Sequence, residues 1–199
     1  MAKFEFDLDS WDFSKAASEI YLFHEYLATM EAFLESETQK LTADRQKKIE
    51  SGEIQVYEDT GPEDSYESNM LDLIFSFKDT LRKSFFVSLF SFFEAELINE
   101  CRKQKDKDMT ILLTLNDLRG ENSIDKVNVY FTKVLHSNFP SETPDWAEIQ
   151  NYKTLRNCIV HAQSRLDNMK NKDDLEKLKA YIVRKKDTLS KIPTRSLSR

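Results

Sequence analysis

In its last quarter the chain reads Asn151-Tyr-Lys-Thr-Leu-Arg-Asn-Cys-Ile-Val-His-Ala-Gln163. Apolar residues in and around this stretch step by three and four: Ile149, Tyr152, Leu155, Ile159, Ala162 and Leu166. That period predicts a helix with one buried stripe. With Leu155 at the stripe's centre and about 100° per residue, Asn157 falls at roughly 200° and His161 at roughly 240°. Arg156 lies at about 100°, with a stem long enough to swing toward them, and Val160 at about 140°. Arg156, Asn157 and His161 are therefore expected to form a polar cluster facing away from their own core. Val160, turned outward among them, predicts a surface covered by a partner subunit. The plain alternative is a solvated face, the usual fate of an Arg and a His on one helix.

Composition bounds the setting of this helix. The chain has 199 residues with only 3 Gly and 4 Pro, but 14 Phe. Few turns, long elements and an aromatic interior follow. The expected fold is all-α, an antiparallel bundle with two long helices, a third helix, the helix of the cluster and a short C-terminal helix. One domain is expected over residues 1–192, with a disordered basic tail at 193–199. No apolar run nears the ~18 residues of a membrane span. The N-terminus, Met-Ala-Lys-Phe-Glu-Phe-Asp, lacks the layout of a signal peptide. Cys101 and Cys158 have no metal-like spacing and read as reduced thiols, so a cytoplasmic protein is expected. Cys158, at about 300°, is assigned to core packing.

Charge is uneven along the chain. Residues 1–100 hold 9 Lys/Arg against 22 Asp/Glu, and residues 101–199 hold 20 against 13. The net charge of −6 excludes an indiscriminate nucleic-acid coat. The basic half, which carries the cluster, can still steer a phosphate backbone.

Arg156-Asn157, three further residues, then His161, late in a helical chain, resembles the Arg-x4-6-His signature of the HEPN superfamily. The residue after the Arg in that family is usually polar and often Asn, as here. The resemblance extends loosely to the helix order from about Tyr66 to Gln163. It implies an HEPN-like helical domain and a homodimeric, metal-independent endoribonuclease of the kind found in toxins and antiviral (phage) defence. RNA is then the substrate, no cofactor or metal is needed, and an antitoxin or regulatory protein is a further partner. Other members have lost activity and bind RNA, a nucleotide or a protein partner, so a non-catalytic dimeric module is the alternative. The family's polar residue near the signature Arg would be Glu94, orienting Arg156; the alternative for Glu94 is a surface position. Toxins paired with a nucleotidyltransferase antitoxin carry Tyr two residues after the His; Gln163 stands there in this chain.

The remaining elements follow in order. Phe4 and Phe6 are anchors in an extended start, and Asp9 or Ser10 a helix cap. A helix over Trp11 to Ile49 carries Phe13, Ala16, Ile20, Phe23, Leu27, Met30 and Leu34 on one face. His24, beside that stripe, reads as structural. Ser51-Gly52 ends the helix, and Glu53 to Ser65 is a mobile acidic connector. The second long helix, Tyr66 to Lys105, is apolar nearly all round between Phe85 and Phe93, which predicts burial. Asp106 to Asp108 breaks it. Met109 to Leu115 then covers the core, with Asn116 and Ser123 as caps. A third helix runs from Ile124 to His136 with Val127, Tyr130, Phe131 and Val134 inward. Pro140 and Pro144 bracket a loop, the signature helix runs to Asn168, and Asn171 caps a last helix, Asp173 to Lys186.

Three chemical steps are needed for RNA cleavage without a metal. The 2′-OH must lose a proton, the phosphate charge must be stabilised, and the leaving 5′-oxygen must gain a proton. His161 can act as base or acid, Arg156 can clamp the phosphate, and Asn157 can orient the imidazole or bond the phosphate. A two-fold dimer would supply the second proton-transfer group. No HExxH or paired histidine supports a metal site, and no glycine-flanked serine supports a hydrolase elbow.

Overall fold

The computed structural model describes residues 13–53, 66–120, 122–137, 141 and 143–190. Expectations for residues 1–10, the connector 54–65, Pro140 and the tail 193–199 lie outside these residues. The described residues are all-helical, with no strand among them. Five α-helices follow in order: α1 (Phe13–Glu50), α2 (Tyr66–Lys107), α3 (Ser123–Val129), α4 (Pro144–His161) and α5 (Lys172–Ser190). Two compact units are divided between Leu89 and Phe90, inside the continuous α2.

In the first unit α1 pairs with the opening turns of α2. Arg82 Nε donates to Glu31 Oε1 at 2.6 Å and Lys78 Nζ to Glu35 Oε2 at 2.6 Å. Phe23 and Phe85 meet edge to face, 5.8 Å between centroids. These partners run in opposite order along the two helices, so the pair is antiparallel. Leu34 and Ile74 are buried in it. A two-helix pair covers only a narrow strip of each member. The expected α1 stripe is accordingly incomplete: Ala16, Phe23, Leu27 and Met30 are half-buried, but Ile20 is exposed. His24 is also at the surface, with Nδ1 3.6 Å from Glu25 Oε1. The α1 end matches the reading at Ser51-Gly52: Ser51 N–H donates to Lys47 O at 2.9 Å, and Gly52 takes φ 78°. The Phe-rich stretch of α2 is less enclosed than its composition implies. Phe90 is buried, the other large apolar residues from Phe85 to Phe93 are half-buried, and Ser88 and Ser91 are exposed.

The second unit is built on the last turns of α2. Phe90, Leu97 and Cys101 pack against Ile124, Val127, Tyr130, Phe131, Leu135 and Trp146. Val127, Tyr130 and Phe131 are wholly buried. They belong to the expected third helix, but that helix changes type midway: α3 stops at Val129 and a π-turn follows over Tyr130–Val134. Leu135 N–H reaches Tyr130 O at 3.1 Å, and Ser137 N–H reaches Phe131 O at 2.9 Å. His136 closes this end at φ 54°. The caps are one or two residues from those expected. Asn122, not Ser123, accepts the Asp125 N–H at 3.0 Å, and Thr114, not Asn116, opens a one-turn 3-10 helix. Asp117 accepts from both the N–H and the hydroxyl of Thr114, and Asp108 does the same for Thr110. Those bonds hold both carboxyls below the usual range. The order they give this loop is complete above the ordinary Asp pKa and is lost as pH falls through the lowered values. Of the expected segment Ile111 and Leu115 cover the core, joined by Leu118, while Met109, Leu112 and Leu113 are exposed.

Both cysteines are free and buried. Burial pushes the Cys101 thiol up to about 12 and raises Cys158 as well. Both thiols are therefore packing groups.

His136 gives a test of backbone strain. A side chain in the left-handed region costs roughly 1–2 kcal/mol, offset by the ~0.4–1 kcal/mol that glycine loses through its freer unfolded chain. His136→Gly should raise the denaturant midpoint by the equivalent of up to about 1 kcal/mol without changing the m-value.

Candidate functional site

Helix α4 is set by its two ends. Pro144 stands in its first turn, where a fixed φ and a missing N–H cost nothing. At the other end Ala162 N–H and Ser164 N–H both donate to Cys158 O, at 3.1 and 3.0 Å. Gln163 and Ser164 adopt φ 54° and 61°. Left-handed residues that close a helix end in this way are normally glycine. Here two polar residues adopt it, so the helix stops at His161 and not at Asn168 as the sequence suggested. Arg165 N–H and Asn168 Nδ2 then bond Ala162 O, at 2.9 and 3.3 Å. They bring Leu166 back onto the core in a 3-10 turn.

What α4 buries also differs from the expected stripe. Thr154, Cys158 and Ala162 are buried, whereas Tyr152 is exposed. This face is turned by about 60° from the one centred on Leu155. Thr154 is tolerated inside because its hydroxyl donates to Gln150 O at 3.1 Å. Against this face α5 brings Leu178 and Tyr181, with Leu155, Leu166 and Met169 at the margin. Asn171 caps α5 as expected, accepting from Asp173 N–H at 3.0 Å and Asp174 N–H at 3.2 Å. Tyr152 and Tyr181 meet edge to face at 6.1 Å, and the Arg184 guanidinium lies 5.4 Å from the Tyr181 centroid. Arg184 also bonds Glu148 at 3.0 Å, which ties α5 to the start of α4. Burial, then neighbouring Tyr152 and Glu148, pushes the Tyr181 phenol up.

The turn of the buried face redistributes the cluster. Arg156 and Val160 lie opposite it, while Asn157 and His161 sit on its flank. Arg156 Nη1 donates to Asn157 Oδ1 at 3.0 Å. Arg156 Nε is shielded from solvent and has no partner. Asn157 thus holds the arginine, a neighbour-to-neighbour bond that helical spacing does not reveal. His161, the last residue of α4, is exposed and makes no hydrogen bond to Arg156 or Asn157 among the described residues. Val160 is 45% exposed. Glu94 is half-buried on α2, and no hydrogen bond or ion pair joins it to Arg156.

Among the described residues no group of three or more His, Cys, Asp or Glu is placed to hold a metal ion. No described helix is long and apolar enough to cross a membrane. No family model matches the chain, and no curated protein or solved structure matches it.

The rotation of α4 depends on α5. Leu178 is 1% exposed beneath Cys158 and Ala162. Leu178→Ala should cost about 2–5 kcal/mol in urea unfolding, the range for a fully buried leucine. A loss below about 1 kcal/mol would mean that α5 does not fix the position of α4.

Proposed function

We propose that the α4 cluster is the active site of a metal-independent endoribonuclease working as a homodimer. One observation carries the reading. Arg156 is held by Asn157 through Nη1, and an exposed His161 follows five residues later on the same helix. A guanidinium held in place by a neighbouring amide is preorganised to meet a phosphate oxygen. In this reading Arg156 clamps the scissile phosphate and stabilises its growing charge. Asn157 positions Arg156. His161 exchanges protons with the 2′-OH or the leaving 5′-oxygen. The products are a 2′,3′-cyclic phosphate and a free 5′-OH. The Arg-x4-6-His resemblance and the basic second half of the chain support the same assignment. An antitoxin or other regulatory protein would act by covering this face.

One histidine is short of the two proton-transfer groups the reaction needs, and a second subunit provides the other. Val160, exposed beside Arg156, is the proposed dimer contact. A second reading, an RNA-binding dimer that does not cut, is favoured by one fact: no described side chain orients the His161 imidazole.

The test is RNA incubated in EDTA with wild type, Arg156→Ala and His161→Ala. Wild type should cut and leave cyclic-phosphate ends. Each variant should lose cutting by roughly a hundredfold or more, the usual weight of an acid–base or charge-stabilising group, while melting like wild type. Intact RNA bound by the wild type would move the assignment to the non-catalytic reading. Val160→Asp should lower both dimer content in light scattering and RNA cleavage, because it places a charge in an apolar contact. A wild type that is monomeric at micromolar concentration and fully active would end the shared-site scheme.

A further inference from the structure

A second feature lies away from the α4 cluster. The last turns of α2, the loop after it and the start of α3 line a half-open pocket of about 700 Å³. That size falls within the range of small-molecule sites. Its wall carries three cations, Arg102, Lys105 and Lys126, against one carboxylate, Asp106. Among the described residues Lys105 and Lys126 form no salt bridge, and Arg102 bonds only the amide of Asn99, at 3.1 Å. Asp117 feels the charge of Lys105 but is engaged in capping Thr114. Like charges converging on one concave space repel, and an anion entering it would relieve that repulsion.

An independent observation points to the same place. Tyr130 lines the cavity and is wholly buried, yet its hydroxyl has no hydrogen-bond partner. Burial raises its pKa, so it remains a proton donor through the neutral range. A buried hydroxyl is seldom left without an acceptor, and a ligand oxygen seated in the pocket can supply one. Gly120 contributes by its lack of a side chain: a Cβ there would stand 2.8 Å from Lys126 Cγ. The glycine therefore gives room for the Lys126 stem along the cavity wall.

We propose that this pocket binds a small phosphate monoester, with the phosphate among Arg102, Lys105 and Lys126, one of its oxygens accepting from the Tyr130 hydroxyl, and the remainder of the molecule over Ile98 and Leu115. Three donors of positive charge match a dianion, and an apolar wall beside them matches an uncharged body. A pocket of this volume can hold a small molecule whole. The site is separate from the α4 cluster and does not depend on the ribonuclease reading.

Calorimetric titration with phenyl phosphate, inorganic phosphate and phenol tests it on the full chain. Phenyl phosphate should bind at one site per chain and more tightly than either fragment. Lys105→Met and Lys126→Met should each weaken it by about tenfold or more, as loss of a charge-assisted contact does, and Lys126→Arg should retain most of the affinity. Tyr130→Phe should weaken binding without lowering the melting temperature of the unliganded protein, because the hydroxyl it removes has no partner. Arg156→Ala should bind phenyl phosphate like wild type, which keeps this result apart from any loss of RNA cleavage. No saturable binding at millimolar phenyl phosphate would overturn the proposal. So would unchanged affinity in the Lys105→Met/Lys126→Met double variant. Displacement of phenyl phosphate by a single-stranded RNA oligonucleotide would overturn it in favour of a nucleic-acid contact.

Discussion

Two N–H groups converging on the carbonyl of Cys158 determine most of what the second unit presents. That closure stops α4 at His161, turns the chain through Gln163 and Ser164, and returns Leu166 to the core. Cys158 and Ala162, on either side of the closure, are the residues α5 packs against. The end of the helix and its rotation are therefore one decision. Had α4 continued to Asn168, Leu166 would have had to reach the core from the helix surface. As built, two strained backbone positions cost of order 1–2 kcal/mol each. Burial of Leu178 and Tyr181, at about 25 cal/mol per Å², stabilises the unit by more than that.

The helices of this chain were legible because their signals are distributed. Three-and-four spacing over ten or more residues survives individual exceptions, so the starts and lengths of α1, α2 and α5 fall within a few residues of the sequence reading. What was not legible depends on single atoms. Thr154 reads as polar and therefore outward, yet its hydroxyl bonds Gln150 O and the residue is buried. That one bond helps to turn the face of α4 by about 60°. The π-turn after Val129 and the left-handed residues His136, Gln163 and Ser164 have no glycine to announce them. In each case tertiary packing overrides a local preference, and hydropathy patterning does not register the override.

The same distinction applies to the candidate site. Arg156, Asn157 and His161 were found as types at a spacing, and the outward position of Arg156 and Val160 agrees with the phase. The bond from Arg156 to Asn157 was not visible, since adjacent residues on a helix diverge by about 100°. It forms because the arginine's long stem folds back along the surface. From the sequence Asn157 is expected to orient the imidazole or bond the phosphate; in the structure its side-chain oxygen bonds the guanidinium. Glu94 shows the opposite case: an acidic residue at a plausible position on α2 makes no bond to Arg156.

Polar atoms left without partners connect these observations. Most buried polar groups in a folded chain are paired, and each exception costs about 1–3 kcal/mol. In the second unit the exceptions include Arg156 Nε on α4 and Tyr130 Oη at the cavity. Neither position forces the defect: a lysine at 156 would direct no Nε inward, and a phenylalanine at 130 would fill the same space. A chain that only needed to fold would gain stability from either change. At the pocket that cost stands beside Lys105 and Lys126, which form no salt bridge among the described residues, and fits a group set to meet an anion from outside. Stability and binding then draw on the same atoms, and the free protein is less stable than its packing alone would allow.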